Sequence, residues 1–320
     1  MTNFKLINLS EKKRWNNILE NSYHFAGNTW EYSKLQSIIT GNKTFLLTFD
    51  HKDKKFFCPL NIKKKNKVEY IFTPQGYTGF NLAIDLNIFN KLIKFFKYKN
   101  YLTAYITLNP LIDSLDQEKQ LNLKKKNISY VIDLNLTDKN IQSNYKNNIK
   151  KNINISVEKN FIIKEYSDLC FLELKEIYLD SLKRFGMSKG FECDKKFISF
   201  LFKNYESKIC LLALKDDVIY SSSIFILGTD TAEYFINISL PGYNYLSSYL
   251  IDKSYKFLRK KGIKKLNLGG SVKNKPGIEQ FKKSFRSDEH HFYYLKKVID
   301  KIKYHKLCVE GDIFPTFKMK

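Results

Sequence analysis

Cysteine is sparse in this chain and oddly placed. The five, Cys58, Cys170, Cys193, Cys210 and Cys308, are far apart and lie mostly in apolar runs such as KICLLAL, which argues against a disulfide scaffold and against the close spacing of a zinc site. They read as buried thiols in a reducing compartment, and no metal site is expected. No stretch of about 18 uncharged apolar residues occurs, so no membrane-spanning helix is expected. The start, MTNFKLINLSEKKRW, lacks an apolar core of signal-peptide length, which makes the cytoplasm the expected location. The Walker-type phosphate loop is missing as well. Acidic residues are few beside basic ones, 32 against 55, and arginine is scarce among the latter.

What is abundant is apolar and aromatic. With 43% hydrophobic residues, 26 Phe and 21 Tyr, the chain can fill a packed interior, and its 320 residues exceed the usual size of a single core, so two domains are expected. The net charge of +23 suits a nucleic acid, an anionic membrane surface or a phosphorylated substrate. Lys, Asn and Ile dominate throughout, as AT-rich coding produces, so many of the lysines read as decoration of solvated faces.

Periodicity outlines the same unit twice. In the first half a helix around Trp15 to Leu19 precedes three strands at 44–49, 55–62 and 67–72. The loop TPQGYTGF, a helix over Leu86 to Tyr98 and the strand YLTAYITL follow. In the second half strands at 208–215, 218–228 and 231–239 lead through LPGYNYL to a helix from about Ser248 to Lys261, ended by Gly262, and then to the strand IKKLNL. Between them, Ile141, Tyr145, Ile149 and Ile153 recur every fourth residue, which predicts one long amphipathic helix started by Thr137 or Asp138. Two further helices are expected at about 168–185 and 194–205. The expected domains are 1–136 and 137–320, the second including the linker helix.

Four short segments, NNIKKNI (147–153), KRFGM (183–187), LNLGGS (266–271) and FKKSF (281–285), resemble, in order, motifs of the Fem-type branch of the GNAT acyltransferase superfamily. NTWEYSKL (28–35) and FTPQGYTGF (72–80) are similar to segments of that branch's first domain. The resemblance spans nearly the whole chain. It implies an α/β fold of two tandem GNAT-like domains, each a mostly antiparallel central sheet flanked by helices. It also implies an N-acyltransferase that acetylates or aminoacylates an amine of a cell-envelope precursor, such as a nucleotide-linked amino sugar or a peptidoglycan peptide, by direct attack. No bound cofactor is implied; acyl-CoA or aminoacyl-tRNA would be the co-substrate. One departure is plain: ordinary GNAT enzymes carry a glycine-paired loop for the acyl-CoA pyrophosphate, and SLPGYNYLSSYL stands there instead.

Residue by residue, the candidates are these. Glu233 and Asn237, four apart on one strand, are expected on the same face, with Glu233 as base, directly or through a water, or as an exposed or salt-bridged strand glutamate. Lys282, beside Phe281 in a helix with an Ile278, Phe281 and Phe285 face, is an oxyanion stabiliser or a lysine snorkelling past the core. Arg184, with Lys183, would grip phosphate or carboxylate through its planar fork, or close a helix end. Tyr77 and Trp30 would line a groove for the acceptor or pack in small clusters. Donor contacts fall on Gly242, Ser247 and Ser248 at a helix start, where backbone N–H groups suit an anion, and on Gly269, Gly270 and Lys275. Lys146, Lys150 and Lys151 would face tRNA, an anionic membrane surface or solvent. Two other readings stay open: a basic nucleic-acid-binding protein, and a non-catalytic GNAT-like scaffold in envelope synthesis.

Overall fold

The computed structural model describes residues 3–65, 67–112, 115–186, 189–271 and 276–307. The chain divides into two compact units, Met1–Asn127 with His291–Lys320, and Ile128–His290.

The first unit opens with β1 (Lys5–Asn8), α1 (Lys12–Leu19), α2 (Trp30–Thr40), β2 (Lys43–His51), β3 (Lys54–Lys65), β4 (Val68–Phe72), α3 (Leu86–Tyr98), β5 (Tyr101–Thr107) and the short α4 (Leu115–Gln120). Lys52 and Asp53 both take positive φ, giving β2 and β3 the two-residue turn whose twist matches that of paired strands. Thr29 starts α2 by accepting the Tyr32 N–H at 3.2 Å, and Gly41 ends it at φ +66°. The α3 positions Ile88, Phe89, Leu92 and Phe96 share a stripe and are buried with Leu47, Phe56 and Ile71 of the strands.

The second unit holds β6 (Lys124–Asp133) from Ile128 onward, α5 (Asp138–Ser143), α6 (Asn147–Glu158), β7 (Ile162–Glu165), α7 (Phe171–Arg184), α8 (Phe191–Lys203), β8 (Lys208–Lys215), β9 (Val218–Leu227), β10 (Thr231–Ser239), α9 (Leu246–Lys260), β11 (Lys265–Gly270) and α10 (Pro276–Lys283). Its sheet order is β6-β11-β10-β9-β8-β7. Ala232, Phe225 and Leu266 on one sheet face pack with Ile141, Ile149, Leu250, Tyr255 and Phe285, so α5, α6, α9 and α10 cover that face. On α7, Glu173 accepts the Ile219 N–H at 3.1 Å and Arg184 donates to the Ser239 carbonyl at 2.9 Å.

The chain then returns to the first unit as β12 (Asp288–Val298) and α11 (Lys301–Leu307), with β12 antiparallel to β5. The first unit's order is therefore β1-β2-β3-β4-β5-β12. Each unit has three antiparallel pairings, then one parallel, then one antiparallel.

The expected strands and helices of both meanders are present, and the fold is mixed α/β, as the sequence implies. The linker helix is a correction: it breaks at Asn144–Lys146 into α5 and α6. Thr137 does cap the first piece, accepting the Asn140 N–H at 3.3 Å. At the break the Tyr145 hydroxyl turns inward onto Asp252 and Tyr255, and the Lys146 N–H donates to Ser284 instead of continuing the helix. The division into units also differs from the expected cut at 136/137. The last strand of each meander is the other's: Ser129–Asp133 pairs with β11, and the C-terminal strand pairs with β5.

Candidate active site

The second unit's parallel pair comes apart. Thr231, Ala232 and Glu233 of β10 lie opposite Lys265, Leu266 and Asn267 of β11, and pairing between the two strands stops there, although β10 runs on to Ser239 and β11 to Gly270. Each strand bulges at that point, β10 between Tyr234 and Ile236 and β11 between Asn267 and Gly269. Gly269 takes φ +80°, a conformation that favours glycine and bends the strand.

The β10 bulge overturns the expectation that Glu233 and Asn237 share a face. Glu233 lies opposite Ile226 and Asn237 opposite Ser223. Those partners are an odd number of residues apart, so the extra residue sends the two side chains to opposite faces. Asn237 faces α9: its Nδ2 donates to the Ser247 hydroxyl at 2.8 Å and its Oδ1 accepts from the Ser223 hydroxyl at 2.7 Å. Glu233 faces the other way and is 8% exposed. Among the described residues no hydrogen bond or ion pair reaches its carboxylate, and burial alone pushes it up to about 8.

Lys282 stands at the end of β11. Its ammonium donates to the Gly270 carbonyl at 2.8 Å, and burial pulls it down to about 8. Phe285, 1% exposed, and Phe281, edge-on to it at 5.3 Å between centroids, anchor α10 on the α9 face. Tyr130 donates to Glu279 at 3.1 Å, and Lys283 pairs with the same carboxylate at 2.9 Å, so the rest of the helix is tied down while Lys282 points to the strand end. A buried carboxyl on β10 and a half-buried ammonium from α10, held at the end of β11, are therefore both near 8.

The remaining candidates are spread more widely. The Ser247 and Ser248 hydroxyls accept from Asn237 and Asn152, and the N–H groups of Leu246, Ser247 and Ser248 donate to Tyr243, Asn244 and Tyr245. The first turn of α9 is thus bonded within the fold. Gly242 is exposed at φ +85° in the preceding loop, and Lys275 lies outside the described residues. Arg184 already bonds Asp180 at 2.7 Å, Ser181 at 2.9 Å and the Ser239 carbonyl, while Lys183 is exposed. Tyr77 and Trp30 belong to the first unit. There Tyr77 packs on Phe292, and Trp30 donates to the Leu9 carbonyl at 2.7 Å beneath the Lys12 ammonium. A cleft of about 620 Å³ in that unit is lined by Asn17, Asp50, His51 and Lys55 with no convergence of buried charges. Asn267 and Ser129, both at most 1% exposed, were not singled out in the sequence. The available signal was a polar residue inside the apolar strand LNLGG.

No protein-family model matches the chain, and no curated protein matches it in sequence. Among solved structures FemX is similar, with a TM-score of 0.68 at 10% identity over 95% of this chain and 99% of that chain. The chain has a Fem-type fold. The same fold is shared with L-PGS from Bacillus licheniformis, at a TM-score of 0.58 and 10% identity over 91% and 93% of the two chains. The C-terminal domain of a putative lysylphosphatidylglycerol synthetase from Agrobacterium fabrum aligns at 0.55 and 11% identity over 92% and 94%. The likeness implied by the motifs thus holds as a Fem-type fold over nearly the full length. Among the described residues no helix is long and apolar enough to cross a membrane.

Proposed function

We propose that this chain is an acyltransferase that moves an aminoacyl or acyl group from an activated ester or thioester to an amine of a cell-envelope precursor. The observation that carries the reading is a pair of groups, the buried Glu233 of β10 and the half-buried Lys282 of α10, whose ammonium bonds the last residue of β11. Names borne by chains of the same fold, FemX and lysylphosphatidylglycerol synthetase, support transfer of this kind.

The faces divide the labour. The acyl donor lies on the α9 face near Lys282, the amine approaches from the Glu233 side, and they meet in the gap between the strands. The amine nitrogen forms a bond to the acyl carbonyl carbon while Glu233 takes a proton from that nitrogen. The Lys282 ammonium stabilises the oxyanion. When the bond from carbon to the leaving oxygen or sulfur breaks, Lys282 gives that atom a proton, and both side chains reset through solvent. A lysine near 8 suits the second task and a carboxylate near 8 the first.

The committed first turn of α9 weighs towards aminoacyl-tRNA over acyl-CoA, because few free N–H groups are left there for a pyrophosphate. The charge of +23 suits a polyanionic donor held in the cytoplasm, and an acceptor at an anionic membrane face. Mass spectrometry after incubation with charged tRNA or acetyl-CoA and a panel of amino sugars and stem peptides tests this. A mass gain on one acceptor that disappears in Lys282→Ala and Glu233→Gln is expected. No gain with either donor class sinks the reading, and tight tRNA binding without any modified acceptor favours a nucleic-acid-binding protein.

A further inference from the structure

Asn267 is 1% exposed, and among the described residues its Nδ2 has no hydrogen-bond partner. Its orientation is nevertheless fixed. Oδ1 accepts from the Ser129 hydroxyl at 2.5 Å and from the Gly269 N–H at 2.8 Å, and because a backbone N–H only donates, the oxygen must be the atom on that side. The amide is therefore held with its NH2 pointing away from Ser129. In the parallel register Asn267 is directly opposite Glu233, so the two side chains leave the sheet on the same face. Among the described residues, then, a buried amide donor and the carboxylate of a residue more than nine-tenths buried stand side by side without partners, and they do not bond each other. Leaving two such groups unsatisfied would cost about 1–3 kcal/mol each, and the usual remedy is an ordered water.

We propose that Asn267 and Glu233 hold one ordered water between them, and that Asn267, fixed by Ser129, is the positioning residue that aims this water at the incoming amine. The water accepts from Nδ2–H and donates to the carboxylate. It keeps one lone pair for an amine N–H. As the amine attacks, its proton passes to the water oxygen while a water proton passes to Glu233, so the water is unchanged and the carboxylate becomes a carboxylic acid. Among the described residues no charged side chain acts on Glu233, so the water supplies the polar contact that they do not. The water site stands on geometry alone; its role in the relay rests on the acyltransferase reading.

A high-resolution crystal structure of the full chain should show density within hydrogen-bond distance of Asn267 Nδ2 and the Glu233 carboxylate, lost in Asn267→Leu. Titration of Glu233 by infrared difference spectroscopy, referenced to Glu233→Gln, should give a midpoint about one unit higher in Asn267→Leu and a smaller rise in Ser129→Ala. Ser129→Ala also serves if the leucine variant does not fold. In turnover, the acid limb of the pH–rate profile should move with those midpoints, with kcat lowered about ten- to hundredfold and the KM for the acyl donor unchanged. An empty gap, a direct Nδ2 bond to Glu233, or a Glu233 midpoint unmoved in both variants overturns the water site. A moved midpoint with an unmoved acid limb overturns the relay. Crystal and infrared results are obtained without substrate, so failure of the acyltransferase reading would be seen separately.

Discussion

The parallel pairs β4–β5 and β10–β11 occupy the same place in two sheets of one strand plan, yet they end differently. In the first unit the pair is sewn shut. Thr73 continues β4, donating its N–H to Tyr105, and its hydroxyl meets that of Thr107 at 2.8 Å. The loop TPQGYTGF folds over the end: Thr78 bonds the Pro74 carbonyl, Asn109 reaches the Tyr77 carbonyl and Asn28 the Gly79 carbonyl. In the second unit the corresponding strands bulge, part after Glu233 and Asn267, and leave a carboxylate and an amide nitrogen without a partner among the described residues. The helices that follow differ in the same sense. Asp85 caps α3 by accepting the Ile88 N–H at 2.7 Å, whereas no side chain caps α9. One scaffold thus gives a unit with closed strand ends where pairing is completed and one with parted strand ends where it is released.

The heaviest blow to this contrast is at Glu233. Glu233→Gln should lower transfer by about 10²- to 10⁴-fold, measured as kcat/KM. The wild-type profile should be a bell centred near pH 8, because Glu233 must be ionised and Lys282 protonated. Stability moves with opposite signs at the two groups. Glu233 has a raised value when folded, so between 4.5 and about 8 the folded chain holds a proton the unfolded chain has lost, and stability falls as pH rises. Lys282 has a lowered value, so its penalty is full below about 8 and fades between there and 10.5. Glu233→Gln should accordingly be more stable than wild type at pH 8 by a few kcal/mol, at about 1.4 kcal/mol per unit, as read from urea unfolding.

Lys282→Ala should cost about 10²- to 10³-fold in kcat. Lys282→Arg keeps a permanent charge without a proton to give, so the alkaline limb should disappear while the acid limb stays. An unchanged alkaline limb would show that Lys282 takes no part.

Closing is as specific as opening. A Cβ at Gly79 would lie 2.2 Å from the Thr107 carbonyl oxygen, at a φ of +121° that side chains avoid. Gly79→Ala should destabilise the protein by about 2–5 kcal/mol in chemical denaturation. Turnover per folded molecule should not change. Lost turnover in protein shown to be folded would mean that the first unit's sealed loop takes part in the chemistry.

Much of this was legible in the letters. The meanders, their turns at Lys52–Asp53 and Asp216–Asp217, and the helices after β4 and β10 follow from alternation, turn residues and helical stripes. Lys282 was singled out by its motif and found half-buried at a strand end. What escaped depends on long-range pairing. A bulge at Phe235 has no mark in TAEYFINIS, yet one extra residue reversed the face of Asn237 relative to Glu233. Asn267 is a single polar letter in the apolar strand LNLGG, and its partner Ser129 lies 138 residues earlier in the chain. The linker helix broke because Tyr145 finds its partners more than a hundred residues later, in Asp252 and Tyr255.

Asn237 offers the finest cut between the faces. Asn237→Ala leaves the Ser223 and Ser247 hydroxyls without their amide partner, at a cost of about 1–2 kcal/mol in stability. Because the bulge puts this residue on the α9 side, the loss should appear as a weaker KM for the acyl donor. The acid limb set by Glu233 should stay in place. If Asn237→Ala instead shifts that limb as Asn267→Leu is expected to do, the two faces are not separate, and the amine and the acyl donor share one side of the sheet.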